Sequence, residues 1–433
     1  MDVLIAFGLF AGLVAGALAV GWSMIIPLAA GAVLFYVLAR RHGFAAGDTL
    51  RMAWSGVKES FLVVGILLLI GGMTGIWRAC GTIACFVQAG IRLIPGQLFI
   101  LAAFLLAAGL SYAIGTSFGV TATAGVILMT IARAGGANLT MTAGAILSGV
   151  YVGDRGSPSS SCANLVAGVT GTDIRRNIRD MLKSALVPFA LCVALYAVLS
   201  VRNPVQSTDA QLLREMAEEY NLRPICLAPA VLMIALPFCR VPVRWSMAVS
   251  IAVSVGIAVF TQNQSVGDCV RAMALGYTPR SENLTAVLSG GGVRSMVEIS
   301  AILLLSGSYG GIFRGTGLLD GVTGRLERLA IRIGRYGTVA LAGLASCMLF
   351  CNQTIGIMMT AQLTEGLYAD GQGRERMLDI ADSVVCLAGV VPWCIACSVP
   401  LGMLEMGVRA VPFAFYLWLI PLWALIRSRR REK

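Results

Sequence analysis

The stretch Gly56–Ile83, GVKESFLVVGILLLIGGMTGIWRACGTI, returns as Gly292–Leu319, GVRSMVEISAILLLSGSYGGIFRGTGLL, at a constant offset of 236 with 11 of 28 positions identical. The recurrence is not confined to leucines: Gly71, Gly75, Ile76, Arg78 and Gly81 reappear as Gly307, Gly311, Ile312, Arg314 and Gly317. An apolar helix ending in Arg-x-x-Gly is therefore present twice in one chain. A duplicated membrane half that also carries a polar, helix-breaking segment is the sequence pattern of secondary transporters, whose sites lie where the repeats meet.

Composition sets the solvent. Apolar residues make up 57% of the chain and charged residues 13%, at a mean hydropathy of +0.81; a soluble domain carries about 25% charged residues. Apolar stretches approaching the ~20 residues needed to span a bilayer run from Val3–Ala19 to Val411–Ile426, with Ser60–Ile76, Leu98–Ile114, Ser117–Ala134 and Met296–Phe313 among them. The expectation is an all-α polytopic membrane protein of two inverted-topology repeats with broken or re-entrant helices, and roughly 11–14 membrane segments.

The net charge of +11 does not point to nucleic acid, because the cations sit in short loops between apolar spans. With the N-terminus in the cytoplasm, Arg40, Arg41, Arg51, Lys58, Arg175, Arg176, Arg179, Lys183, Arg325, Arg328, Arg332 and Arg335 fall on the inner side, and so does the Arg427–Lys433 tail. That is the positive-inside pattern. The helix after Lys58 leaves the cytoplasm while its copy after Arg294 returns to it, so the repeats are expected to run in opposite directions. The organisation predicted is a first transmembrane repeat over 1–202, an external linker over 203–223 and a second repeat over 224–433 with a basic cytoplasmic tail. Such a chain belongs in the inner (plasma) membrane with both termini cytoplasmic, and Val3–Ala19 reads as a retained first helix. In the linker, Leu212, Leu213, Met216 and Tyr220 suit either a short amphipathic surface helix or a plain connector.

Most of the twelve cysteines lie inside apolar spans and imply no disulfide framework. Cys394 and Cys397 form a CxxC without a second pair, and the single histidine, His42, lies in a basic loop, so neither a resident metal nor a cofactor is expected.

Polar chemistry enters the apolar chain at two places in the first half. Gly115–Gly119, GTSFG, brings Thr116 and Ser117, which serve either close helix packing or a polar cargo. Gly153–Leu165, GDRGSPSSSCANL, is sharper. Gly156 and Pro158 interrupt a helix and free its carbonyls, and such backbone survives at membrane depth only when buried in protein or lining a wet cavity. Asp154, Ser157, Ser161 and Asn164 flank the break and are candidate ligands. An intramembrane carboxylate is costly and usually functional, so Asp154 is either a coupling group or a loop partner of Arg155. It is not a GxGD protease aspartate, because Tyr151-Val152-Gly153-Asp154 lacks the first glycine, and no enzymatic chemistry is expected. In the second half Asp382 and Ser383 precede a break at Pro392 within VVPWCIACSVPLG and are candidate site residues because they face that break. Glu298 reads as a helix-end residue, and Glu365 and Glu405 read as solvated.

Together these stretches resemble the NhaC family of Na+/H+ antiporters. GTSFG and the following VTATAGVILM are similar to that family's GTSWGT segment. YVGDRGSPSSSCANLVAGVTGTD resembles its FGDKxSPLSDTTNLA segment, and ADSVVCLAGVVPWC its EDSGTVxSPLIPWN segment. The resemblance implies an inverted-repeat cation/proton antiporter, with a transported Na+ as cargo, an elevator-like motion and a homodimer. Departures from the pattern remove oxygen ligands: Ser161-Cys162-Ala163 stands for Asp-Thr-Thr, Ala388-Gly389 for Ser-Pro, and Cys394 for Asn. Hard cations want oxygen donors, so a carrier of an amino acid or small organic anion, coupled to protons or sodium, is the alternative.

Overall fold

A computed structural model describes residues 3–20, 22–93, 96–205, 210–239, 241–317 and 323–431. It is almost entirely helical. Among the described residues, six helices are long and apolar enough to cross a bilayer: Ala46–Ala79, Gly96–Ile114, Ser117–Ala134, Ile174–Arg202, Val243–Phe260 and Val293–Thr316. A pair bent by 51°, Gly373–Val390 with Ile395–Met403, is a seventh candidate span by the same criteria, and shorter apolar helices lie at Gly8–Ala17, Ser161–Thr170, Pro224–Pro237 and Arg335–Phe350.

The two copies of the duplicated stretch pack on each other, antiparallel, through glycine. A Cβ on Gly56 would strike the carbonyl of Gly307 and come 2.8 Å from the nitrogen of Gly311, while one on Gly71 would lie 2.7 Å from the carbonyl of Gly292 and one on Gly75 3.1 Å from its nitrogen. The Gly292 N–H also donates to the Gly71 carbonyl at 2.8 Å. Under the 236 offset Gly56 corresponds to Gly292, Gly71 to Gly307 and Gly75 to Gly311, so one set of contacts maps onto the other with the partners exchanged. Backbone-to-backbone approach of this kind needs residues without a side chain, which is why those glycines recur.

The offset persists beyond the matching sequence. Helices Phe99–Ile114 and Arg335–Phe350 start and stop 236 residues apart. Each is followed by a reversal, at Gly115–Thr116 and at Cys351–Asn352. The first hairpin opens where Gly96 and Gly135 both pack on Val205, just past the end of the Ile174–Arg202 helix. The second opens where Arg335 reaches Gln372 at 3.3 Å, close to the start of that helix, since Arg374 forks onto Asp180 with two 2.7 Å bonds. A 29-residue helix is about 43 Å long, so the hairpins enter from opposite sides.

Between the halves, Ala210–Glu219 is helical. It docks rather than floats: Met216 and Tyr220 are buried, and Glu219 accepts from the Arg280 and Ser281 backbone N–H groups at 2.9 and 3.2 Å. The side chains of Leu212 and Leu213 lie outside the described residues.

Candidate functional site

The hairpin tips and the broken helices meet in the interior. Gly115 has φ +80, and Thr116 after it is extended at φ −141 and ψ 123, with its hydroxyl accepting from the Gly119 N–H at 3.4 Å. Cys351 has φ +52, and Asn352 after it is extended at φ −138 and ψ 123, its Oδ1 accepting from the N–H groups of Thr354 and Ile355 at 2.9 and 3.3 Å. A left-handed residue followed by an extended N-cap turns the chain and restarts a helix.

Each tip sits on a helix break. Helix Leu139–Gly156 ends before Ser157, and Ser161–Thr170 restarts after Ser160, whose hydroxyl accepts from the N–H groups of Cys162 and Ala163 at 3.1 and 3.3 Å and donates to the Asp154 carbonyl. A Cβ on Gly115 would lie 2.5 Å from the Ser159 carbonyl carbon. In the second half, the break around Pro392 separates Ala388–Val390 from Ile395–Met403, and the Ile395 N–H donates to the Cys351 carbonyl at 2.9 Å. Residues 159 and 395 again differ by 236.

Asp154 lies at this junction, 4% exposed. Gln353 of the second tip donates one amide hydrogen to its Oδ2 at 3.2 Å and the other to the Val385 carbonyl at 2.9 Å. Ser117 of the first tip and the Cys162 thiol lie near enough to act electrostatically on the carboxylate. A first-half carboxylate is thus bonded by the second tip and faced by groups of the first tip and of its own broken helix.

Arg155, one residue on, faces elsewhere, because consecutive helical side chains diverge by about 100°. It is 1% exposed, forms an ion pair with Asp382, and donates to the Ser184 hydroxyl at 2.6 Å and the Met181 carbonyl at 3.0 Å. Asp382 is 1% exposed and also takes Arg427 at 2.9 Å. Two guanidinium groups therefore neutralise Asp382, whereas the groups named around Asp154 carry no formal charge.

The residues singled out in the sequence fall into three places. Thr116, Ser117 and Asp154 gather at the first tip. Ser157 is buried and accepts from the Ser159 N–H at 3.2 Å, beside Gly156 and the exposed Pro158, while Ser161 and Asn164 are exposed on the following half-helix. Asn164 bridges the break by donating to the carbonyls of Pro158 and Ser160 at 3.0 and 2.7 Å. Asp382 stands with Arg155, and the hydroxyl of Ser383 after it bonds back to the Asp379 carbonyl at 2.5 Å. Sequence reasoning passed over Asn352 and Gln353, and reached Ser160 only as one of the polar residues flanking the first break. Adding 236 to Thr116 and Ser117 lands on Asn352 and Gln353, so the signal for both was available. Among the described residues no group of three acidic, histidine or cysteine side chains is disposed to hold a metal ion.

The sequence model of the Na+/H+ antiporter family matches residues 3–163 and again 149–427. The chain belongs to that family. The Na+/H+ antiporter NhaC of Bacillus subtilis is 26% identical over 416 residues, covering 93% of this chain and 91% of its own. The malate-2H+/Na+-lactate antiporter of the same organism is 25% identical over 434 residues, at 96% and 91% coverage. The arginine/ornithine antiporter ArcD of Halobacterium salinarum is 26% identical over 403 residues, at 89% and 82%. With its apolar helices, membership makes this antiporter-family protein a multi-pass transporter of the plasma membrane.

Proposed function

We propose that the protein exchanges a monovalent cation, Na+ by preference, for protons at Asp154. One observation carries this reading: among the described residues, the buried Asp154 carboxylate accepts from Gln353 and faces Ser117 and Cys162, none of them charged, at the point where both hairpin tips and a helix break converge. A bare carboxylate in a low-dielectric interior is unfavourable. Protonation neutralises it, and so does a bound cation, and the two exclude one another. That exclusion is antiport. Carbonyls freed at the breaks around Ser157 and Pro392, with Thr116 and Ser117, supply the oxygen donors a hard cation needs. Ser161 and Asn164 offer a polar approach to the site, and Asp382 holds the second broken helix to Arg155 while Ser383 bonds back within that helix.

The same reading places the basic loops and both termini in the cytoplasm, with repeats over 1–202 and 224–433 joined by an external linker over 203–223. It also takes the chain to be a homodimer, which native mass spectrometry of lipid-purified protein checks. The test of function is everted vesicles with a pH-sensitive dye, challenged in turn with Na+, Li+, K+ and a panel of amino acids. Proton movement on Na+ that vanishes in Asp154→Asn supports the proposal; movement that persists in that variant refutes it.

A second reading keeps the site and changes the cargo to a carboxylate-bearing solute. It is supported by Ser161, Cys162 and Ala163 where the NhaC pattern has a carboxylate and two hydroxyls, and by helix N-termini at Ser117, Ser161, Gln353 and Ile395, whose partial positive charge suits an anion. The relatives that exchange malate for lactate and arginine for ornithine point the same way. Amino-acid accumulation without cation-driven proton movement decides for it.

A further inference from the structure

On the linker side the second broken helix ends at Met403, and Glu405 follows in the left-handed region at φ +56, which a residue with a Cβ adopts only when its surroundings compel it. Its carboxylate explains the compulsion. Oε1 accepts from Arg78 at 3.1 Å and from the Gly291 N–H at 3.2 Å, and Oε2 accepts from Arg133 at 2.7 Å. Arg78 is 2% exposed and closes the duplicated Arg-x-x-Gly helix, and Gly291 stands between two further left-handed glycines just before the copy begins. Arg133 ends the first hairpin and also donates to the Leu404 carbonyl at 3.3 Å. Two partners thus belong to the paired duplicated helices, and one belongs to the hairpin that carries Ser117.

The offset shows that this cluster is one-sided. Arg314, the copy of Arg78, is forked at 2.6 and 2.9 Å by Glu59 from the other duplicated helix. The position 236 before Glu405 is Val169, at the end of the first broken helix, which has no carboxylate to offer. On that opposite side the half-helix keeps Ser161 and Asn164 exposed.

We propose that Glu405 is a latch that closes the linker side of the transport site by pinning the second broken helix and the first hairpin to the duplicated helices. Its release is a step of the transport cycle, so Glu405, Arg78 and Arg133 set the rate of opening toward the linker and not the affinity for cargo. The proposal rests on the transport reading above for its purpose, but its structural half is testable without any cargo.

The experiment is hydrogen–deuterium exchange of the full chain in lipid nanodiscs, comparing Glu405→Gln, Glu405→Asp and Arg133→Gln with the parent, alongside initial rates of proton-coupled exchange. Glu405→Gln is expected to speed amide exchange about tenfold or more in 289–292 and 395–407, because a charge-assisted bond on each side is weakened, while 139–156 is unchanged. Glu405→Asp should fall between the two. The maximal transport rate should move with the exchange rate, and the half-saturating cation concentration should stay within twofold. Exchange within twofold of the parent in both segments overturns the latch, as does acceleration spread over the whole chain or an altered half-saturation alone. If Glu405→Gln does not insert, Arg133→Gln is judged by the same criteria. A protein that shows the exchange pattern yet moves no cation keeps the latch and loses the cation reading.

Discussion

Replacing Arg155 by methionine should destabilise the protein without touching the group proposed to carry the proton. The guanidinium is 1% exposed and serves Asp382, Ser184 and the Met181 carbonyl at once. Breaking a buried pair by removing one partner costs about 3–5 kcal/mol, because the other charge stays buried. Arg427, 2.9 Å from the second Asp382 oxygen with 24% of its side chain exposed, remains as a countercharge, so the low end, about 3 kcal/mol, is expected. Removing the stranded charge as well, in Arg155→Met with Asp382→Asn, should restore roughly 1–2 kcal/mol. Asp154→Asn should cost under about 1 kcal/mol, since an amide can still pair with Gln353. The assay is fluorescence-detected size-exclusion after heating, at one fixed ramp because such melts depend on rate. At about 2 °C per kcal/mol, Arg155→Met should melt roughly 6 °C lower, and the double variant should recover part of that. A double variant no better than the single, or an Asp154→Asn loss larger than that of Arg155→Met, would refute the division of roles between the two aspartates.

Three further outcomes follow from packing and hydrogen bonding. Gly311→Ala should cost about 1–3 kcal/mol by overpacking, since its Cβ would sit 2.8 Å from the Gly56 nitrogen; Gly65→Ala on the same helix pair meets nothing within 4 Å and should be neutral or stabilising in the same melt. Tyr196→Phe removes a buried hydroxyl bonded to Ser148 at 2.6 Å, the Phe413 carbonyl at 2.7 Å and the Phe415 N–H at 3.1 Å, and should lower stability by about 1–3 kcal/mol. Gln353→Ala cuts the bridge from Asp154 to the Val385 carbonyl and should shift the half-saturating cation concentration about tenfold, at roughly 1.4 kcal/mol; an unchanged value in the vesicle assay would place Gln353 outside the site.

Local signals were legible in the chain and pairings were not. Ser117–Ala134 begins and ends as its hydropathy and glycines indicate, and the break at Gly156–Pro158 is where proline and glycine put it. Loop charge and the repeat indicated inversion, and the antiparallel glycine contacts of the duplicated helices fit it. Glu405, in contrast, reads as a solvated helix-end residue because nothing near it in sequence is basic except Arg409; its partners stand 327 and 272 positions away. Asp382 reads as a site carboxylate for the same reason, until Arg155, 227 positions earlier, comes to lie against it. Asn352 and Gln353 are two ordinary polar residues after an apolar run; the 236 offset aligns them with Thr116 and Ser117, and the left-handed Cys351 before them shows that the turn is shared. The segment count also needed coordinates, because helices of 9 to 16 residues such as Ile395–Met403 and Arg335–Phe350 do not announce whether they cross, re-enter or stop.

A transporter with two equivalent halves has no reason to prefer one direction, so the positions where the 236 offset preserves geometry but changes chemistry are the ones that can set it. The tips keep the same kind of backbone turn while Ser117 becomes Gln353, and the longer amide is what reaches across to Asp154. The broken helices keep their breaks while Asp154 becomes Val390, so the carboxylate at this position stands in one half only. The Arg-x-x-Gly termini keep their arginines, while Arg78 meets Glu405 just beyond a broken helix and Arg314 meets Glu59 of the paired helix. If direction is encoded this way, introducing an acid at Val169 should give Arg314 a second suitor and slow opening on the opposite side. In Val169→Glu, slower deuterium exchange over 161–170 with 395–407 unchanged would fit that account. Unchanged exchange over 161–170 would mean that the asymmetry at Glu405 does not govern which side opens.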